Sequence, residues 1–226
     1  MPRVSEQYLE QRRQQILAAA QRCFSRNGFH QASMQDVFRE SGLSAGAVYR
    51  YFKSKDELVQ AIAGRSLEHV TAVIEAALSE DPVPGLDEIA GRVAAKAQAL
   101  GEGDGPIRTA PSAWAAAMYN PAVAATVRDA VTQLRAWWVR AAERLRDSGR
   151  LPAGADVNAI GVTMAGLLPG FILQWLVLGD VDAAGLQRGL RELLRPLLLS
   201  PDGRPPEGRP PEGRPPDGGA PPGQHG

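Results

Sequence analysis

"GLSAGAVYRYFKSKDEL", residues 42–58, places the nearly bare run Ser44-Ala45-Gly46-Ala47 directly ahead of Tyr49, Tyr51 and Phe52, which interleave with Arg50, Lys53 and Lys55. Working outward, Val37, Phe38, Leu43, Val48 and Phe52 are spaced so that two short helices, about 33–40 and 44–52, share a small core with a preceding helix. The joint between them is Ser41-Gly42-Leu43-Ser44. This is a helix-turn-helix pattern, which lays its second helix in the major groove of DNA. With Val48 and Phe52 turned inward at i and i+4, Ala45, Ala47, Tyr49 and Arg50 fall on the outward side. The small residues let the helix approach closely. Tyr49, Lys53 and Lys55 can then reach phosphates, and helix N-termini at Ser33 and Ser44 offer backbone N–H groups to the same anions.

Charge supports that partner once the chain is divided. The 226 residues carry a formal net charge of zero. Residues 1–55 hold nine Lys/Arg against four Asp/Glu, a balance of +5, and the remainder holds sixteen against twenty-one, a balance of −5. A basic module on an acidic body is the asymmetry of a DNA reader. Apolar residues at 44% suffice for a globular core. The single cysteine, Cys23, excludes an internal disulfide and sits in an apolar helical pattern beside Phe24, as a core residue would. The polar N-terminus is not a secretory signal, so the expected location is cytoplasmic.

Almost every stretch before residue 199 reads as helix, and the expected fold class is all-α. A first helix through Ile16, Leu17, Ala20 and Phe24 is expected to end at Asn27-Gly28, with Phe29 folding back as its hydrophobic contact. "SKDE", residues 54–57, is a capping box that opens a fourth helix running to about Leu78. Further helices are expected at about 86–100, 108–118, 121–147, 156–178 and 182–198, separated by Gly- and Pro-rich breakers such as "GEGDGP" at 101–106. From residue 201 a repeat of Gly, Arg, Pro, Pro and an acid has no aliphatic or aromatic side chain to bury, and a disordered, solvated tail is expected over 201–226.

Residues 159–178, "AIGVTMAGLLPGFILQWLVL", contain no charge and are long enough to cross a bilayer. Pro169, three glycines, Gln174 and the absence of a following Lys/Arg cluster argue against a span. The face Ile160, Met164, Leu167, Phe171, Trp175 is large, and the face Gly166, Gly170, Leu173, Val177 begins small. A helix apolar all round is buried all round. One face is expected against its own domain and the other against a second subunit, with no membrane.

The run "ILAAAQRCFSRNGFHQASMQDVFRESGLSAGAVYRYFKSKDELVQAI", residues 16–62, resembles the DNA-binding region of the tetracycline-repressor (TetR) family of bacterial regulators. The first helix, Gly28-Phe29, Ser33, Asp36-Val37, Gly42-Leu43-Ser44, Gly46, Tyr49, Phe52, Lys53 and Lys55 to Leu58 stand in register. The resemblance implies an all-α homodimer with a DNA-binding domain at 1–53 and a ligand-binding and dimerisation domain at 54–200. It implies a roughly palindromic operator, release by a small-molecule effector, a shift carried by the fourth helix, and dimer contacts near 156–178 and 182–198. Ser33, Ser44, Tyr49 and Lys55 match positions that touch phosphates, whereas Gln35, Ala45, Gly46, Ala47, Arg50 and Tyr51 match positions facing bases or the groove wall. Phe38 departs from the small residue common at its place. Ala45 and Ala47 offer at most apolar contact to a thymine methyl, so direct readout falls to Gln35 and Arg50.

The C-terminal body holds the large soft side chains Trp114, Met118, Tyr119, Trp137, Trp138, Met164, Phe171 and Trp175. All but Tyr119 are the candidates for lining a cleft between bundle helices, with Thr163, Gln174 and Asn120 as polar partners and Arg108 and Arg140 for an anionic ligand. Adjacent Trp137 and Trp138 cannot share a direction. These residues point to a bulky, largely apolar effector. Three rivals compete. His30, His69 and His225 lie in no spacing with acids that suggests a metal site or catalytic triad, so no catalytic residue, metal or cofactor is expected. A ligand-independent DNA-binding protein would have a sealed bundle, whereas a sensor would have a cavity of several hundred Å³. A membrane-anchored protein would partition with membranes. Repression and activation would use the same residues.

Overall fold

Short polar side chains decide where the helices begin. Ser33, Ser44, Ser54, Asn120 and Asp156 each accept a hydrogen bond from a backbone N–H of the turn that follows, satisfying donors that a helix start leaves without partners. The computed structural model describes residues 6–198, apart from the side chains of residues 29, 30 and 196–198. Among the described residues every regular element is helical: α1 (Glu6–Gln31), α2 (Met34–Ser41), α3 (Ala45–Tyr49), α4 (Lys55–Leu78), α5 (Leu86–Ala99), a 3₁₀ turn (Pro106–Thr109), α6 (Ala110–Ala117), α7 (Pro121–Asp147), α8 (Val157–Val177) and α9 (Ala183–Leu198). The fold is all-α, as the sequence predicts. The repeat at 201–226 and the packing expected of Phe29 lie outside the described residues.

Two segments are divided. α1 breaks at Gly28, as the sequence predicts, where the backbone is non-helical at φ 74° and ψ 157°, and a short second helical segment runs on to Gln31. The segment expected as one helix over 108–118 divides into the 3₁₀ turn and α6. Pro111 has no N–H to give the Ile107 carbonyl, which instead accepts from Ala110. α3 is only five residues long, although Tyr51 and Phe52 both donate backbone bonds to the Val48 carbonyl and extend the turn. Gly42 ends α2 in the left-handed region, φ 68°, with its N–H toward the Arg39 and Phe38 carbonyls.

Packing forms two cores with α4 common to both. The smaller gathers Ile16, Leu17, Phe24, Val37, Val48, Phe52, Leu58 and Ile62, with Ala113, Ala116 and Val123 from α6 and α7. The larger gathers Val70 and Ile74 of α4 with residues of α5, α7, α8 and α9, including Ile89, Val93, Trp138, Met164 and Phe171. α8 crosses α7 closely at Gly161, where a Cβ would lie 2.4 Å from a Val139 methyl. α9 is held to α5 at two points: the Gln98 side-chain oxygen accepts from the Ala183 N–H, and Arg191 pairs at 3.0 Å with buried Asp87.

α8 is long and apolar enough to cross a membrane by length and composition. Its two faces divide as the sequence suggests: Met164 and Phe171 are buried, while Ile160, Leu167 and Trp175 pack partly against the core. On the other side Gly166 and Gly170 are exposed, with Leu173 52% and Val177 70% accessible.

Candidate nucleic-acid interface and effector cavity

The α2–α3 unit is fixed from below and open above. Val37, Val48 and Phe52 are buried, and Phe38, Leu43 and Tyr51 pack partly against the same core. Phe38, larger than the residue expected there, meets the Tyr49 ring edge-on, with centroids 5.3 Å apart. That contact holds Tyr49 by one side while the residue remains 41% exposed. Gln35, Ser44, Ala45, Gly46, Arg50 and Lys53 are exposed, and Ala47 is half-buried.

Local hydrogen bonds set the start of each helix. Ser33 and Asp36 form a reciprocal capping box, the carboxylate accepting from the Ser33 N–H at 2.9 Å and from its hydroxyl at 2.7 Å. Those two bonds, aided by Arg39, hold the Asp36 carboxyl below the usual carboxylate range. Ser44 accepts from the Ala47 N–H. At the start of α4, Ser54 accepts from Glu57, but the Glu57 carboxylate takes the Lys53 N–H and not that of Ser54. The Lys53 ammonium donates to the Tyr49 carbonyl at 2.6 Å, and that of Lys55 to the Ala32 carbonyl at 3.1 Å. Both lysines therefore also tie α3 and α4 to the backbone around them.

The start of α4 and the end of α1 are each fastened to a later part of the chain. On one side the α7 cap Asn120 donates to the Asp56 carboxylate, and Gln60 donates to the Ala122 carbonyl. On the other, α1 closes on the glycine-flanked Asp104. Arg26 pairs with its carboxylate at 2.7 Å, and Gln21 and Ser25 both donate to its carbonyl. Between α1 and α2, Arg22 pairs with Glu40 at 2.5 Å and lowers that carboxyl as well. Nothing in the spacing of "GEGDGP" distinguishes this clasp from an ordinary breaker, because its partners lie about eighty residues earlier in the chain.

Immediately behind α4 lies an apolar cavity of about 130 Å³, lined among others by Val59, Leu67, Val70, Trp114, Leu134, Leu168 and Ile172. Ser66 and Thr109 supply its side-chain polar groups. Of the seven residues expected to line a ligand site, Trp114 stands on the wall of this cavity. The other six do not line this cavity: Trp138, Met164 and Phe171 fill the main core, Met118 is 77% exposed, Trp137 lies beneath the Arg140 guanidinium, and the Trp175 ring occupies the space beside Gly101. Arg108 stacks toward Trp175 and bonds the Gly101 carbonyl, and Thr163 and Gln174 bond carbonyls of their own helix. The lining comes instead from smaller residues of α4, α6, α7 and α8, whose periodicity is the same as that of core residues.

Comparison with known proteins gives concordant results. Residues 16–62 match the model of bacterial regulatory proteins, tetR family, and residues 101–199 match that of the C-terminal part of BetI-type transcriptional repressors. The HTH-type transcriptional regulator UidR of Escherichia coli K12 is 30% identical over 193 residues, covering 82% of this chain and 92% of that protein. The HTH-type transcriptional repressor Rv1474c of Mycobacterium tuberculosis is 41% identical over 73 residues, which span 32% of this chain and 39% of that relative. Salmonella enterica GusR has the same fold, with a TM-score of 0.58 and 21% identity over 86% of this chain and 98% of its own.

Proposed function

This chain belongs to the tetR family of bacterial regulatory proteins, and from that premise we propose that it is a cytoplasmic repressor that binds a palindromic operator as a homodimer and is released by a small, largely apolar effector. Residues 1–53 are the DNA-binding unit, and 54–200 bind the effector and the second subunit. Gln35 and Arg50, both exposed on the α2–α3 surface, are the base readers. Ser33, Ser44, Tyr49, Lys53 and Lys55 position the phosphate backbone, with Ala45, Gly46 and Ala47 allowing the close approach and Tyr51 supporting the groove wall. Dimerisation uses the exposed small face of α8 together with α9, so that the two readers meet half-sites about 34–36 Å apart or a multiple of that.

The observation that carries the regulatory part is the position of the cavity. Its wall includes Val59 and Val70 of α4, Ile107 of the 3₁₀ turn and Ala113 of α6. Val59 and Ala113 also belong to the small core beneath α2 and α3. A ligand that enlarges the cavity therefore presses on residues that support the reader. Regulation needs only that the effector favour the arrangement that does not fit DNA.

Fluorescence anisotropy with the DNA flanking the protein's own gene tests the proposal. Tight binding with a steep decline in affinity as salt rises, weakened by Tyr49→Ala and Arg50→Ala, is the expected result. Binding no tighter than to random duplex, and no enrichment from a random oligonucleotide pool, would refute it.

A further inference from the structure

We infer that the effector is an amphiphile with a carboxylate head, whose apolar part fills the cavity behind α4 and whose head is held by Arg65 in a second cavity between α1 and α4. This rests on the effector-responsive reading and adds the ligand's charge and the place where that charge sits.

The second cavity, about 200 Å³, is bounded by Leu17 and Gln21 of α1, by Ile62, Arg65, Ser66 and His69 of α4, and by Leu100 and Pro106. Ser66 and Pro106 also line the apolar cavity, so the two share a wall. Neither alone reaches the roughly 300–1,000 Å³ of a usual small-molecule site, and the apolar one is near the ~150 Å³ of a cavity that holds benzene. A ligand that reached from one to the other past Ser66 and Pro106 would occupy a site of the usual size.

Their chemistry is complementary. The apolar cavity has no charged side chain on its wall. The second has Arg65 and no acid. Arg22, Arg26, Arg92 and Arg191 each hold a carboxylate. Arg65 instead meets the neutral Gln14 amide oxygen and no carboxylate among the described residues. A guanidinium has five N–H donors in a planar fork, and one Nη group engaged by an amide leaves a pair to receive a carboxylate in bidentate fashion. The neighbouring groups do not compete for it: the Ser66 hydroxyl donates to the Ile62 carbonyl, and His69 Nδ1 to the Arg65 carbonyl at 2.6 Å. The head would lie beside Gln21, whose amide N–H also holds the Asp104 carbonyl. Occupancy would therefore bear directly on the clasp between α1 and the body.

Calorimetric titration of the full chain with decanoate and with decan-1-ol separates head from tail. The expected result is at least tenfold tighter binding of the acid. Arg65→Gln should abolish that preference while leaving decan-1-ol affinity within twofold, and Arg65→Lys should restore part of it. Circular dichroism of both variants guards against a folding defect at this exposed position. Equal binding of acid and alcohol by the wild type, or a preference that survives Arg65→Gln, would overturn the carboxylate subsite and leave the apolar cavity standing. Binding of neither probe by a protein that still holds its operator would overturn the cavity as an effector site and the subsite with it.

Discussion

Arg50 and Gln35, exposed at the end of α3 and on α2, are the proposed base readers. Each bidentate contact of this kind discriminates by about 1–3 kcal/mol. Arg50→Ala is expected to weaken operator binding by that amount and to relax selection at one position per half-site, as a binding-site selection experiment would read. Lys53→Ala should instead weaken binding to all sequences alike and flatten the salt dependence. Acid sensitivity also belongs to this scale. Asp36 and Glu40 have carboxyls lowered by Ser33 and Arg22 respectively, so their contribution to stability is complete above the unfolded carboxylate value and is lost as pH falls through the lowered folded one. Thermal unfolding between pH 6 and 3 should show the loss, and Asp36→Asn with Glu40→Gln should flatten it. The geometry of α2 and α3 was legible because capping serines, a turn glycine and inward-facing Val48 and Phe52 act within a few positions of one another. The lining of the cavity was not. Trp138 and Phe171 are as large and soft as a cavity lining needs, but size alone does not say whether a side chain fills a core or borders a void.

Helix order, and most helix ends, followed from local signals: a cap such as Asp156, or a prolyl break such as Pro121 at the start of α7. What the sequence could not show is how α1 is fastened. The clasp on Asp104 joins residues 21–26 to a loop near residue 104 by one ion pair and two hydrogen bonds to a carbonyl, and no periodicity encodes so distant a contact. Removing it with Gln21→Ala, Ser25→Ala and Arg26→Ala together should raise hydrogen exchange in residues 21–31 and 101–106, while α5 and α8 keep their protection. Unchanged exchange in α1 would deny the clasp a mechanical role.

For the whole molecule, the sequence predicted a doubly apolar helix at 159–178, and the structure leaves Gly166, Gly170, Leu173 and Val177 on its open side. A Cβ at Gly166 or Gly170 meets nothing within 4 Å in the single chain. Gly170→Glu is therefore expected to leave the monomer fold intact while placing a charge in the proposed subunit contact. Light scattering should report a monomer with native circular dichroism, and operator affinity should fall because one reader engages one half-site. A dimer unchanged by this substitution would move the interface elsewhere. Two cores were not separable in the sequence, since Ala113 and Val123 are ordinary helical alanine and valine until folding places them under α4.

α4 belongs to both cores, and that gives it leverage. Ile74, fully buried, anchors the far end, and Lys55 lies nineteen residues away, about 28 Å at 1.5 Å per residue. A tilt of about 5° about that anchor moves the near end by roughly 2.5 Å on this geometry. In the proposed dimer, two copies tilting in opposite senses would change the gap between readers by about twice that distance. Duplex DNA presents its grooves at a fixed pitch and cannot follow, so a displacement smaller than a water molecule at each subunit would put the proposed pair out of step with its track.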